Sequence, residues 1–152
     1  MDILTERSTN IMQLALDGLM QRQKAISANI ANAETPGYQR KEVSFESQLN
    51  NIMKAEDIQE QTKIANSTMS YVMTSFDQLD DGDSYLKSAY NNFSPEIKID
   101  NSEVASSDGN NVNLESEMAE LAKNGTKYTV ISNLEGKKFS GMSELIKGAG
   151  QL

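Results

Sequence analysis

Apolar side chains recur at alternating spacings of four and three over two long stretches of this chain. In the first, Met12, Leu16, Leu19, Gln23, Ile26, Ile30 and Ala33 keep the spacing, and only Gln23 is polar. This pattern predicts an amphipathic helix with a heptad seam. Ser8, Thr9 and Asn10 are good N-cap residues, so the helix is expected to start near Ser8 or Thr9 and to end near Ala33. In the second stretch, Leu114, Met118, Leu121, Gly125, Tyr128, Ser132, Glu135, Phe139, Met142 and Ile146 keep the same spacing. Ser132 and Glu135 interrupt its apolar character, and Ile131 and Leu134 take over there if the stripe drifts around the helix. Asn113 is the expected N-cap. Glu115 and Glu117 then sit in the first turn and Lys137, Lys138 and Lys147 toward the far end, as the helix dipole favours. Gly125 is a weak point, since Gly inside a helix costs about 1 kcal/mol relative to Ala. A helix over residues 114–147 is about 50 Å long at 1.5 Å per residue. An amphipathic helix ordinarily packs on its own domain's core. This chain supplies little else to pack against, so pairing and assembly of helices is favoured.

The exit of the first helix is chemically specified. Thr35 precedes a proline and is pushed out of the α region. Pro36 and Gly37 fit the central pair of a type II turn, one fixing φ and the other accepting a positive φ. Residues 38–49 are expected as an extended arm, where Val43 and Phe45 alternate with polar residues. Further on, Leu49, Ile52 and Met53 hint at a helical turn. Leu86, Ala89, Tyr90 and Phe93 suggest a short helix after Asp80, Asp81, Gly82 and Asp83. Residues 95–100 alternate like a strand, and 106–111 read as a loop. The expected fold is therefore mainly α. Long N- and C-terminal helices pair as a coiled coil around a small irregular or short-β insert. The divisions are an N-terminal helix over 1–34, a turn and arm over 35–49, an acidic middle over 50–111 and a C-terminal helix over 112–152.

Composition sharpens this picture. Of 152 residues 38% are hydrophobic and none is Trp, which makes a large self-contained core unexpected. The net charge of -8 is unevenly placed. Residues 1–43 hold five acids and five bases, and residues 111–152 again five of each. Residues 44–110 hold twelve acids and four bases, so 4 − 12 = −8 falls there entirely. Neutral ends can pack against copies of themselves, whereas the acidic centre prefers water or a basic partner. No basic patch points to nucleic acid. With no Cys and no His, disulfides, thiolate metal sites and Ser-His or Cys-His nucleophiles are excluded. No stretch approaches the roughly 20 apolar residues that cross a bilayer, so no membrane insertion is expected. Met1, Asp2, Ile3, Leu4, Thr5, Glu6 and Arg7 do not form a basic segment ahead of an apolar one, so no cleavable secretory signal is expected.

Candidate chemistry is sparse. Asp77, Asp80, Asp81 and Asp83 around Gly82 do not match the calcium-loop spacing and lack its closing Glu, so they read as a solvated acidic turn. Three Asn-x-Ser/Thr triplets begin at Asn66, Asn92 and Asn124, and such triplets arise by chance in an Asn-rich chain. No catalytic residue, cofactor, metal or small-molecule substrate is expected.

The string Ala28, Asn29, Ile30, Ala31, Asn32, Ala33, Glu34, Thr35, Pro36, Gly37, Tyr38 closely resembles the signature of the bacterial flagellar rod, hook and hook-associated proteins. Residues 108–118, with Tyr128 and the stretch Phe139, Ser140, Gly141, Met142, resemble the C-terminal pattern of the short proximal-rod subunits of that family. Glu34 departs from the family pattern, where a neutral or shorter polar residue is usual, and residues 50–107 show no clear match. The resemblance implies a structural subunit of the basal-body rod, not an enzyme. It implies that such subunits line a helical tube with their terminal helices, an assembly seam here formed by Met12, Leu16, Leu19, Ile26, Ile30, Leu114, Met118, Leu121, Tyr128, Phe139 and Met142. It implies passage through the flagellar type III export apparatus without signal cleavage. The implied neighbours are copies of the chain, other rod proteins, a FliE-type adaptor and the basal-body ring and export gate. Phe45 and Leu49 resemble the short Phe-xxx-hydrophobic export-gate signal of early flagellar substrates. Another axial subunit of the rod and hook family, or a secreted coiled-coil binding protein, remains an alternative at this stage.

Overall fold

The computed structural model describes residues 3–69, 83–100 and 108–149. The acidic turn at 77–82 and the loop segment 101–107 lie outside the described residues. Elements run in the order α1 (Ile3–Ala31), β1 (Lys41–Ser44), α2 (Glu46–Met69), α3 (Asp83–Asn91), β2 (Glu96–Ile99) and α4 (Leu114–Ala149). The chain forms two compact units, one of residues 1–44 with 95–152 and the other of residues 45–94.

In the first unit the two terminal helices pack against each other. Lys138 meets Ser8 and Thr9, Asn124 meets Leu19 and Gln23, and Glu117 meets Asn29. Rising numbers on α1 meet falling numbers on α4, so the pair is antiparallel. At 29 and 36 residues the helices span about 43 Å and 54 Å. Ala15, Leu19, Ala25 and Ile26 are the buried apolar residues of α1. β1 and β2 form a two-stranded antiparallel ladder that pairs Val43 with Ile97. Val43, 1% exposed, closes the core where the ladder lies on α1. Mainly α, with two long terminal helices and a small two-stranded insert, is the fold expected from the sequence.

Three local expectations need correction. Helix α1 begins at Ile3, not at Ser8 or Thr9. The hydroxyls of Ser8 and Thr9 accept hydrogen bonds from Lys138 Nζ, and no Gly or Pro upstream breaks the helix. It ends at Ala31, two residues before Ala33, within the ordinary spread of helix boundaries. Third, the arm over 38–49 is strand only at Lys41–Ser44, and a 24-residue helix starts at Glu46. That helix escapes a periodicity search because its apolar residues do not form one stripe. Strong intrinsic helix formers such as Lys54, Ala55, Glu56, Gln59, Glu60 and Gln61 carry it instead.

The second unit is the α2·α3 pair. Ile52, Ala55 and Glu56 are buried, and the Tyr90 hydroxyl donates to the Glu56 carboxylate. Gln48 Oε1 accepts the Ser94 N–H at 3.0 Å, which ties the start of α2 to the chain beyond α3.

Candidate functional site

The exit of α1 is held by side-chain amides that stand in for peptide groups. Asn29 is fully buried. Its Oδ1 accepts the Lys41 N–H at 2.9 Å and its Nδ2 donates to the Lys41 carbonyl at 2.8 Å. Ladder geometry explains why Lys41 needs this partner. The Asp100 N–H donates to the Arg40 carbonyl at 2.9 Å, so the Arg40·Asp100 pair is a hydrogen-bonded rung. Lys41 sits one position on, where backbone groups point away from the partner strand. Asn29 therefore acts as a one-residue strand on the outer edge of β1. Two turns earlier on α1, Arg22 donates Nε and Nη2 to the Val43 carbonyl at 3.1 and 2.8 Å, capping the next outward group on that edge.

Two asparagines of the loop before α4 do the same work from the other side. Asn111 inserts its amide into the Arg40·Asp100 rung. Its Oδ1 accepts the Arg40 N–H at 2.7 Å and its Nδ2 donates to the Asp100 carbonyl at 2.5 Å. Asn110 turns its Nδ2 to the carbonyls of Asn32, Ala33 and Thr35, each at 2.9 Å. Those carbonyls follow the end of α1, where acceptors lack helical partners. Between them lies the turn at Pro36 and Gly37. The Tyr38 N–H donates to the Thr35 carbonyl at 3.2 Å, and Gly37 has φ +72°. The Gly37 N–H donates to the Asp108 carbonyl at 3.0 Å, and Gly109 (φ +81°) lies against Gly37, so the two loops touch through their glycines.

A charge cluster completes the clamp. Glu117, fully buried in the first turn of α4, accepts Arg40 Nε at 2.6 Å and Asn29 Nδ2 at 3.0 Å. Arg40 also pairs with Asp100. Burial would lower the Arg40 pKa, but the hydrogen bond and attraction to Glu117, followed by those of Asp100, raise it above the ordinary value. The Tyr38 hydroxyl donates to Asn29 Oδ1 at 3.2 Å, and burial, followed by the Glu117 charge, pushes its pKa up. Of the signature residues, Asn29, Asn32, Ala33, Thr35, Gly37 and Tyr38 thus take part in the hydrogen bonds of the clamp. Ala31, Glu34 and Pro36 are exposed, and Ala28, Ile30 and Ala33 are half-buried.

The predicted seam divides. Leu19 and Ile26 are buried, and Met12, Leu16, Ile30, Leu121 and Met142 are half-buried. Leu114, Met118, Tyr128 and Phe139 are 48%, 59%, 38% and 51% exposed. The row of α4 that meets α1 instead runs through Glu117, Leu121, Asn124, Ile131, Glu135, Lys138 and Met142, all buried or half-buried. Polar partners on α1 set this rotation of α4, with Asn124 Nδ2 donating to the Leu19 carbonyl at 3.0 Å and to Gln23 Oε1 at 2.9 Å. Gln23, the one polar seam position, is thereby matched. Phe45 is buried and Leu49 half-buried, with the Leu49 N–H donating to the Phe45 carbonyl at the start of α2. Sequence reasoning missed Arg22, Arg40, Asp100, Asn110, Asn111, Glu117 and Asn124 as site residues. The density of Asn before α4, at 110, 111 and 113, was the available signal.

Two antiparallel terminal helices, locked by a polar clamp and leaving an apolar row of α4 outward, define a structural subunit built from its own two ends. The model of the flagella basal body rod protein family matches residues 12–39, which span about the last two-thirds of α1 and the turn. The chain is 32% identical over 142 residues to the flagellar basal body rod protein FlgB of Borreliella burgdorferi, covering 93% of this chain and 97% of that protein. It is 28% identical over 142 residues to FlgB of Escherichia coli K12, covering 93% and 94%. Against FlgB of Bacillus subtilis 168 it is 28% identical over 127 residues, covering 84% and 83%. The chain belongs to the flagellar basal body rod protein FlgB family.

Proposed function

We propose that the chain is a structural subunit of the proximal rod of the flagellar basal body, assembling with copies of itself and with other rod proteins into the helical shaft needed for motility. The observation that carries this reading is the outward apolar row on α4, which a lone subunit leaves in water. A head-to-tail contact that uses different surfaces on its two sides generates a helical filament rather than a closed ring. Proteins of this family are structural, and the chain is not an enzyme. Among the described residues no helix is long and apolar enough to cross a membrane.

The finer parts of the proposal rest on the resemblance to the flagellar rod family. The terminal helices line the tube, with the exposed seam residues Leu114, Met118, Tyr128 and Phe139 at the subunit contacts. A FliE-type adaptor and the basal-body ring are the neighbours at its base. The subunit leaves through the flagellar type III apparatus, with Phe45 and Leu49 as its gate signal. Burial of Phe45 in the folded protein supports reading by the gate before folding.

The test is removal of the gene and its return with an epitope tag. Loss of motility on removal, recovery on return, and tag in purified basal bodies are expected. A motile deletion strain, or a tagged functional chain absent from basal bodies, would refute the reading.

A further inference from the structure

Met118, Gly125, Ser132, Phe139 and Ile146 lie seven residues apart on α4 and form one stripe along the helix. Its large members are left open, with Met118, Phe139 and Ile146 at 59%, 51% and 65% exposure. Its small members are not required by the subunit's own packing. A Cβ on Gly125 would meet nothing within 4 Å, and Gly125 has no positive φ. A glycine inside a helix is unfavourable, so local propensity does not account for this position. Its missing side chain opens a groove of about 340 Å³ between α1 and α4, lined by Leu19, Met20, Gln23, Asn124, Tyr128 and Thr129. Asn124 is 3% exposed there, and its Oδ1 has no hydrogen-bond partner in the lone subunit.

From this stripe we infer that a second copy of the chain docks its α4 here, parallel and displaced by fourteen residues, with its Phe139 seated in the groove at Gly125. The inference rests on the rod-subunit reading. Fourteen residues are about 21 Å of helix. At that displacement Phe139 of one copy faces Gly125 of the other, Ile146 faces Ser132, and Ser132 faces Met118. Each pair sets one large residue against one small. A displacement of seven sets Ile146 against Phe139, and no displacement sets every large residue against itself. Charge favours a like copy as the occupant. The stripe is uncharged, and so is the flanking row Ala122, Thr129, Gly136 and Ser143, whose small side chains permit close approach. Residues 111–152 carry five acids and five bases, so parallel copies of α4 meet without net repulsion.

The experiment is a swap in cells. Gly125→Phe fills the groove, and Phe139→Gly removes the knob. Each alone is expected to lower the recovery of subunit in purified basal bodies at least tenfold. The double variant restores the large-small pair and is expected to recover most of it. Gly125→Ala in the purified subunit is expected to raise resistance to urea, because nothing in the subunit opposes the new methyl. Since the chain has no Cys, Gly125→Cys with Phe139→Cys should give oxidised covalent multimers in basal bodies. Gly125→Cys with Ser132→Cys should not. Wild-type recovery for Gly125→Phe, no rescue by the double swap, or multimers from the seven-residue pair would overturn this contact and leave the rod reading intact. Absence of the wild-type chain from basal bodies would remove the rod reading itself, and this contact with it.

Discussion

Asn29 is the residue on which the clamp turns, and its replacement has a calculable consequence. Asn29→Ala removes four hydrogen bonds at once: two to the Lys41 peptide groups, one to Glu117 and one from the Tyr38 hydroxyl. The two peptide bonds contribute about 1 kcal/mol each, the bond to the Glu117 carboxylate about 2, and the tyrosine bond about 0.5–1. The total is about 5 kcal/mol. Three of the four bonds are only part-buried, where entering water restores part of the loss, so about 3–4 kcal/mol is expected. Against the ~5–15 kcal/mol stability typical of a domain, that is a large fraction.

The assay is urea unfolding of the purified subunit at pH 7, followed by circular dichroism, with Asn29→Asp as the second variant. Asn29→Asp keeps the shape but sets a second carboxylate against Glu117. The like charge raises the folded-state pKa of the new carboxyl above its unfolded value. Its protonated form is therefore favoured by folding, and the variant should be more stable at pH 5 than at pH 7. The reasoning is refuted if Asn29→Ala costs under 1 kcal/mol, or if Asn29→Asp unfolds identically at both pH values.

Further outcomes follow from the same geometry. Ile26→Asp places a charge at a position 4% exposed; it should cost several kcal/mol and abolish motility, while Lys24→Ser on the exposed face should swim normally. Ionising Tyr38 is disfavoured in the folded state, so stability is full below the ordinary tyrosine value of about 10 and falls as pH rises through the higher folded value. Alkaline titration of Tyr38→Phe, which should lose less stability above pH 10, checks it. In hydrogen exchange of the dilute subunit, which should be largely monomeric, amides near Asn29 and Glu117 should exchange slowest. The two helix ends near Ile3 and Ala149 should exchange fast until the rod assembles. Pro36→Ala with Gly37→Ala removes the turn and strains the φ +72° position by about 1–2 kcal/mol; export should continue while recovery of basal bodies fails.

The two long helices were legible because their apolar residues keep one spacing over many turns. The strand at Glu96–Ile99 and the helix at Asp83–Asn91 were legible from shorter patterns of the same kind. The turn at Pro36 and Gly37 was legible because its residue types are tied to particular φ values. Helix α2 was not, since propensity rather than periodicity carries it. The clamp was not legible either. Glu117 reads as an ordinary acid in a helix's first turn, and only the fold shows that it is fully buried on Arg40 and Asn29. Likewise Asn110 and Asn111 read as loop residues, because a side-chain amide bonding a distant peptide leaves no period in the sequence.

Polar atoms and apolar surface divide the labour in this subunit. Had α1 and α4 been joined only by an apolar seam, a slide of one heptad would have kept most contacts. Asn124 on Gln23 and the Leu19 carbonyl, Asn29 on Glu117, and Lys138 on Ser8 and Thr9 each have one correct partner. A one-heptad slide would strand a buried carboxylate and several amides, at about 1–3 kcal/mol for each unsatisfied group. The internal register is therefore fixed by hydrogen bonds, a use of buried polar groups known from helices that pair in one register only. That frees the apolar stripe of α4 from holding the subunit together. Hydrophobic contacts are non-directional, so the stripe can take its geometry from the sizes of its own residues, large at Met118, small at Gly125 and Ser132, and large again at Phe139 and Ile146. A shaft that repeats one contact many times multiplies any error in a single subunit, which is the physical reason to set the fold by directional bonds and leave the adaptable contacts to assembly.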